Sequence, residues 1–242
     1  MRKSLGVIIL IMICLVSITA SAATTISANG TDPYAHFKSV LGPDPVDGPD
    51  SDHITDNGSY FTFLLHSTGD LDGSNTDRQR NEIKVYNSSD DSLKGTNGST
   101  FTYNWKFKID SAMTISNNFC HLFQIKGNTT ADPLVTITAS GGQLKLVYYV
   151  GGTTQVLKAV DFDTYKNTWL TANVKATYKD SGALSCTLKK DDGTTVWSYS
   201  GNIDMWDTGN DFNRPKWGIY RKLFTGIKEA KVYFNNFSIT KN

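Results

Sequence analysis

From Ser59 onward apolar and polar residues alternate along most of the chain, in short runs rich in Val, Ile, Thr, Tyr, Phe and Trp separated by Gly, Asn and Asp. The clearest run is Phe101 to Ile109, where every odd position is large and apolar and every even one polar. A period of two is what a strand with one face in a core requires. Similar runs near residues 59–66, 79–86, 119–126, 133–138, 143–150, 154–160, 169–178, 183–189, 195–199, 215–222 and 230–240 predict further strands. No amphipathic helical window has comparable strength. So many strands without crossover helices predict an all-β chain folded as a jelly-roll sandwich of two antiparallel sheets.

Residues 23–57 break this rhythm. Gly42-Pro43-Asp44-Pro45 and Gly48-Pro49 interrupt helix and strand alike, so the segment reads as an extended lead-in able to line a sheet edge, with the regular domain at 58–242. Residues 1–22 join Arg2 and Lys3 to an apolar run, Leu5 to Val16, and a small-residue stretch, Ala20-Ser21-Ala22. That is the form of a secretory signal and is too short to span a bilayer, so a secreted, extracellular, membrane-free protein is expected, with a retained membrane anchor as the weaker alternative, and a monomer is expected.

Charge then removes a class of partners. With 24 Lys plus Arg against 23 Asp plus Glu, net +1, the chain lacks the basic surplus that nucleic-acid binding by counterion release needs. Any anion site must be local. Cys14 lies in the leader, leaving Cys120 and Cys186 to pair or to stay as separate buried thiols. The pattern N-x-S/T occurs at Asn29, Asn57, Asn87, Asn97, Asn128 and Asn236, usable for glycosylation only in a source with that machinery.

Three strands place chemistry on their polar faces. In Arg78 to Tyr86, Arg80, Glu82 and Lys84 share a face opposite Ile83 and Val85. In Phe119 to Lys126, Gln124 and Lys126 share a face at the end of an apolar strand. In Arg214 to Arg221, Lys216, Gly218 and Tyr220 share one, and the glycine opens a gap where a ligand could reach the backbone, unless it marks a bulge or a packing contact. Alone, each also describes a solvated strand with weak cross-strand ion pairs.

Together, R-x-E-x-K at Arg80 to Lys84, Q-x-K at Gln124 to Lys126 and K-x-G-x-Y at Lys216 to Tyr220 resemble the cleft motifs of jelly-roll polysaccharide lyases. Alginate lyases of this architecture carry R-x-E-x-R, Q-I-H and K-x-G-x-Y in the same order. The wording D-R-Q-R-N-E-I-K with W-G-I-Y-R is similar to the glucuronan lyases and the related heparin lyases. The resemblance spans the chain from about Phe61 onward and implies a concanavalin A-like sandwich. One departure is that Lys126 stands where the alginate lyases have histidine.

Such lyases cleave a polyuronate by β-elimination, which needs the C5 proton removed, the carboxylate neutralised and a proton given to the leaving O4. Gln124, with Arg80 or His66, is the candidate for neutralising the carboxylate, and Tyr220 for carrying the proton. Glu82, Lys84, Lys126 and Lys216 are the candidates for binding substrate. A phenol of ordinary pKa about 10 needs nearby cations, for which Lys216 and Arg80 are available. His66 ends the strand before that of Arg80 and suits either a second acid/base role or a plain surface position. His121 has the parity of Phe119 and Phe123 and reads as structural.

No cofactor is required by this chemistry. Asp70 to Asp77 is oxygen-rich without EF-hand spacing, and a structural calcium there is implied by the resemblance more than by the residues. No Cys/His cluster suggests zinc. The expected partner is an anionic polysaccharide: glucuronan first, alginate next, and heparin-type glycans last because the chain has few basic residues. A carbohydrate-binding module or lectin using Tyr148, Tyr149 or Trp169 is the alternative from another class, and a glycoside hydrolase, which needs paired carboxylates, is a third.

Overall fold

The computed structural model describes residues 22–49 and 52–242, so the expected leader at 1–22 lies almost wholly outside the described residues. In chain order the elements are β1 (Thr24–Ile26), α1 (Pro33–Leu41), β2 (Val46–Asp47), β3 (Ile54–Asp56), β4 (Phe61–Leu65), β5 (Leu71–Asp72), β6 (Asn75–Lys84) and β7 (Thr100–Ile109). After these come β8 (Cys120–Gly127), β9 (Pro133–Ser140), β10 (Gln143–Val150), β11 (Thr153–Asp161), α2 (Phe162–Tyr165), β12 (Leu170–Thr177), β13 (Ala183–Lys190), β14 (Thr195–Gly201), β15 (Asn213–Lys222) and β16 (Ala230–Lys241).

The strands form two eight-stranded antiparallel sheets, as the alternation predicts. The back sheet runs β14, β13, β12, β7, β16, β4, β3, with β1 also on β16. The front sheet runs β11, β10, β9, β8, β15, β6, β2, with β5 also on β6. Phe101, Tyr103, Trp105, Phe107 and Ile109 of β7 are all buried while the residues between them are not. Between the sheets Trp105 stacks on Phe123 at 4.3 Å and meets Trp217 edge-on at 6.0 Å. Removing any of these rings would cost about 3–5 kcal/mol. Cys120 and Cys186 are free, buried and on opposite sheets.

The lead-in is less extended than its prolines imply, because Pro33 and Gly42 act as the start and stop of a helix. Asp32 caps α1 by accepting from the Tyr34 amide at 2.9 Å, Pro33 fits the first turn, and Gly42 at φ 106 closes it by donating to the Lys38 carbonyl. Phe37 and Leu41, one turn apart, bury that helix against Phe61 and Phe63. The same segment supplies β2 and β3, which end the two sheets.

The two sheets are also tied by polar side chains on the inner face of β6 and β15. Gln79 donates to the carbonyls of His66 and Gly69, Asn81 to those of His53 and Leu64, and Arg221 to Gln79 and the His66 carbonyl. All three are essentially buried, so each bond satisfies a group that would otherwise be costly inside the protein. This seam fixes β4 and the turn after it against the edge of the front sheet.

Candidate active site

Register brings the three motifs together on the outer face of the front sheet. Across β6 and β15, Arg80 faces Tyr220, Glu82 faces Gly218 and Lys84 faces Lys216. Across β15 and β8, Lys216 faces Gln124 and Arg214 faces Lys126. Thr136 and Thr138 of β9 continue the same face opposite Gln124 and His121.

Gly218 has a steric duty rather than leaving a gap for ligand. A Cβ there would lie 2.1 Å from the Asn81 carbonyl oxygen, and its φ is 146°, so β15 can approach β6 only with glycine at this point. The β8–β15 register shifts beside it, between Trp217 and Tyr220, and that bulge corrects the reading of His121. Strict alternation puts His121 with the core residue Phe123, but a bulge resets the parity so that His121 faces Tyr220. Its ring lies 5.9 Å from that of Tyr220 and 4.8 Å from that of Phe119. Burial, with Lys216, Arg80 and Lys126 nearby, pushes the imidazole down to about 3, so His121 stays neutral at ordinary pH.

The residues expected to bind substrate divide into two groups. Glu82, fully buried, accepts from Gln124 and pairs with Lys216 at 2.7 Å. Lys216, 2% exposed, also pairs with Asp47 of β2 at 2.9 Å, and Lys84 pairs with Asp47 too. Arg80 is held by Asp72 at 3.0 Å, Asp47 at 3.5 Å and Glu82 at 3.7 Å. Glu82, Lys84 and Lys216 are therefore committed to one another and to Asp47, and they form a charged floor beneath the face. Asp47 is half-buried, and this partial desolvation alone would raise its carboxyl, but Lys216 and Lys84 outweigh it and hold the group well below the usual carboxylate range.

Lys126 and Arg214 face each other with no carboxylate in ion-pair range of either among the described residues. Burial first, then Lys216, Arg80 and Arg214, lower the Lys126 amine to about 8. The Arg214 guanidinium is lowered by burial and by Arg80, against the opposing pull of Asp47 and Glu82, and its Nε is buried without a hydrogen bond. Asp47 and Arg214 were not among the site residues expected from sequence, and His121 was read as structural. Arg214 was reachable, since it shares the parity of Lys216 and Tyr220.

Tyr220 is half-buried, its ring under the Arg80 guanidinium at 4.0 Å and its hydroxyl accepting from Arg78 at 3.2 Å. Gln124 is 2% exposed, positioned by its bond to Glu82. A phenol, an amide and two unmatched cations thus share one face, an arrangement suited to holding a carboxylate and moving a proton beside it. A groove of about 870 Å³ adjoins the Lys126 end, lined by Thr129 to Leu134, Tyr148 to Thr154, Asp204 and Asp207 to Gly209. It includes Tyr148 and Tyr149, while Trp169 lies on the back sheet's side beside Tyr60.

His66 belongs to a different cluster. It follows β4 of the back sheet, and its Nδ1 lies 3.1 Å from Asp70, whose other oxygen meets His53 at 2.9 Å. The loop considered for calcium spreads its carboxylates: Asp70 to the two imidazoles, Asp72 to Arg80, and Asp77 to Arg78 and Lys222. They do not converge on one centre as calcium ligands do, so no step below is routed through that ion.

No protein-family model matches the chain, and no curated protein matches it in sequence. Solved structures do match in fold. The endo-beta-1,4-glucuronan lyase from the fungus Trichoderma reesei superposes with a TM-score of 0.60 at 14% identity, over 93% of this chain and 96% of that one. Alginate lyase A1-II', a member of polysaccharide lyase family 7, gives 0.61 at 18% identity over 92% and 95%. A variant of alginate lyase Aly36B with a lysine and a tyrosine each changed to alanine, in complex with an alginate tetrasaccharide, gives 0.55 at 12% identity over 93% and 98%. The resemblance read from three short motifs and the fold comparison converge on the same kinds of protein.

Proposed function

We propose that this chain is an exported polysaccharide lyase that cleaves a polyuronate, glucuronan first, by β-elimination. The observation that carries the reading is the placement of Tyr220, Gln124, Lys126 and Arg214 on one sheet face, with the last two in no ion pair with a carboxylate among the described residues. The substrate carboxylate sits against Lys126, Arg214 and the Gln124 amide, which stabilise the negative charge that moves onto it as the C5–H bond breaks. Arg80 acts on Tyr220 rather than on the carboxylate, since its guanidinium covers the ring and is already bonded to acids.

In glucuronate the C5 hydrogen and O4 lie on one ring face, so the Tyr220 phenolate takes the C5 proton. The electron pair forms the C4–C5 double bond, the C4–O4 bond breaks, and the same phenol returns the proton to O4. Atoms and charge balance without a further reactant. The names of the fold relatives support this reading, as does Aly36B, whose oligosaccharide complex was obtained with a lysine and a tyrosine removed.

The test is ultraviolet absorbance of the unsaturated uronate product, with glucuronan, alginate, heparin and pectate offered separately. Absorbance should rise with glucuronan, and Tyr220→Phe should lower kcat by about 10²–10⁴-fold without loss of binding. A folded protein that binds one of these polymers and never raises absorbance would instead be a binding module.

A further inference from the structure

We propose that His53, His66 and Asp70 form a binding site for a divalent transition metal of the zinc type, at the edge of the front sheet and outside the catalytic face. His53 Nε2, His66 Nδ1 and a carboxylate oxygen of Asp70 all lie within 4.8 Å of one another. The two nitrogens meet different oxygens, His53 Nε2 lying 2.9 Å from Asp70 Oδ1 and His66 Nδ1 3.1 Å from Oδ2. The carboxylate thus spans the two imidazoles at separations near the ligand–ligand edge of about 3.3 Å in a tetrahedron with bonds of about 2.0–2.1 Å, and an ion would draw one oxygen to itself. The imidazole rings stand 5.0 Å apart at 87°, so both can direct a nitrogen to one point without stacking. Sequence spacing concealed the set, because His53 and His66 precede and follow β4 and Asp70 lies in the turn beyond.

The ligands are held as a built site needs. Asp70 occupies a left-handed conformation, φ 51°, directly after Gly69 at φ 76°, and its Oδ2 accepts the His66 amide at 2.6 Å. The His66 carbonyl is fixed by Gln79 and Arg221, and the His53 carbonyl by Asn81 and the Leu64 amide. Buried side chains therefore set the backbone of both histidines, and the strained turn sets the acid. Two imidazoles and one carboxylate suit zinc or cobalt, whereas calcium takes oxygen ligands throughout. Side-chain exposure of 48% at His66, against 15% at His53 and 9% at Asp70, gives an ion a way in and leaves the fourth position to water.

The position gives the ion a structural consequence. The Arg80 amide donates to the Asp70 carbonyl at 3.1 Å, and Asp72, two residues on, holds the Arg80 guanidinium. A metal on Asp70 fixes the turn that presents Asp72 and so steadies Arg80 over Tyr220.

Isothermal titration of the chelator-treated full chain with zinc, cobalt(II) and calcium tests the site without reference to catalysis. The expected result is one zinc or cobalt per chain, a visible spectrum of tetrahedral cobalt(II), a raised Tm with zinc, and no displacement by calcium. His66→Ala and Asp70→Asn should each weaken zinc by about a hundredfold or more. The cobalt spectrum of the unaltered protein needs no variant, so a misfolded variant does not blunt the test. No zinc binding, an octahedral cobalt spectrum, equal binding of calcium, or undiminished affinity in folded His66→Ala would each overturn the proposal.

Discussion

The two ends of the front face use the same residue types to opposite effect. At the β6 end Arg80, Lys84 and Lys216 are matched by Asp47, Asp72 and Glu82, every cation within 4 Å of at least one acid. At the β8 end Lys126 and Arg214 face each other beside Gln124 with no ion pair to an acid among the described residues, only the more distant pull of Asp132 on Lys126 and of Asp47 and Glu82 on Arg214. Matched buried charges set geometry, because the desolvation that burial costs is offset only while each partner stays in place. Cations crowded together and lacking acids keep an unmet demand for an anion, which a ligand carboxylate can supply. The motif residues that looked most like substrate contacts are therefore mainly scaffold, and the working charges stand next to them.

Removing Glu82 attacks the matched end and should have the largest effect. Glu82→Ala leaves Lys216, 2% exposed, facing only Asp47 and takes the acceptor from Gln124. The expected loss is about 3–5 kcal/mol of stability in urea denaturation. A loss below about 1 kcal/mol would mean that the floor is solvated, and the contrast between the two ends would fail.

The sheet count and the front-face motifs were legible because period-two alternation survives wherever strands run regularly. Phe101 to Ile109 is such a case, and so is the shared parity of Lys216 and Tyr220. His121 was misread because alternation breaks beside it: the register of β8 shifts between His121 and Phe123 against both β15 and β9, and a bulge carries no signature in the residues of the strand itself. α1 was missed because Gly42 was read only as part of a breaker cluster, when Pro33 starts a helix and Gly42 ends it. Asp47 and His53 come from other parts of the chain, and only tertiary structure brings them to Lys216 and to the His66–Asp70 pair.

Arg214→Ala attacks the unmatched end and should reverse the pattern. It removes a cation that makes no direct ion pair and feels Asp47 and Glu82 only at longer range, so denaturation should shift little while kcat/KM on a polyuronate falls. A hydrogen bond to a charged group contributes about 1.5–3 kcal/mol, which is about ten- to a hundredfold in kcat/KM. A large stability loss with unchanged kinetics would make Arg214 part of the floor and leave Lys126 alone against the carboxylate.

The finest distinction concerns what Lys126 does, and the direction of a pH profile decides it. Burial and the neighbouring cations hold its amine near 8, below the ordinary lysine value of about 10.4. Below pH 8 the group is cationic and can neutralise a carboxylate; above it the charge is lost. As a neutraliser Lys126 makes kcat/KM fall as pH rises through about 8, by up to about tenfold per unit, because kcat/KM reports ionisation of the free enzyme. Lys126→Arg, which keeps its charge, should retain activity and remove that limb. As a base for the C5 proton it would do the reverse, with kcat/KM climbing toward a plateau above 8 and Lys126→Arg inactive. A falling limb keeps both proton transfers on Tyr220 and fits a uronate whose C5 hydrogen and O4 share a face. A rising limb divides the work, with Lys126 taking the C5 proton and Tyr220 protonating O4, and the unmatched end of the face would then supply the base as well as the anion site.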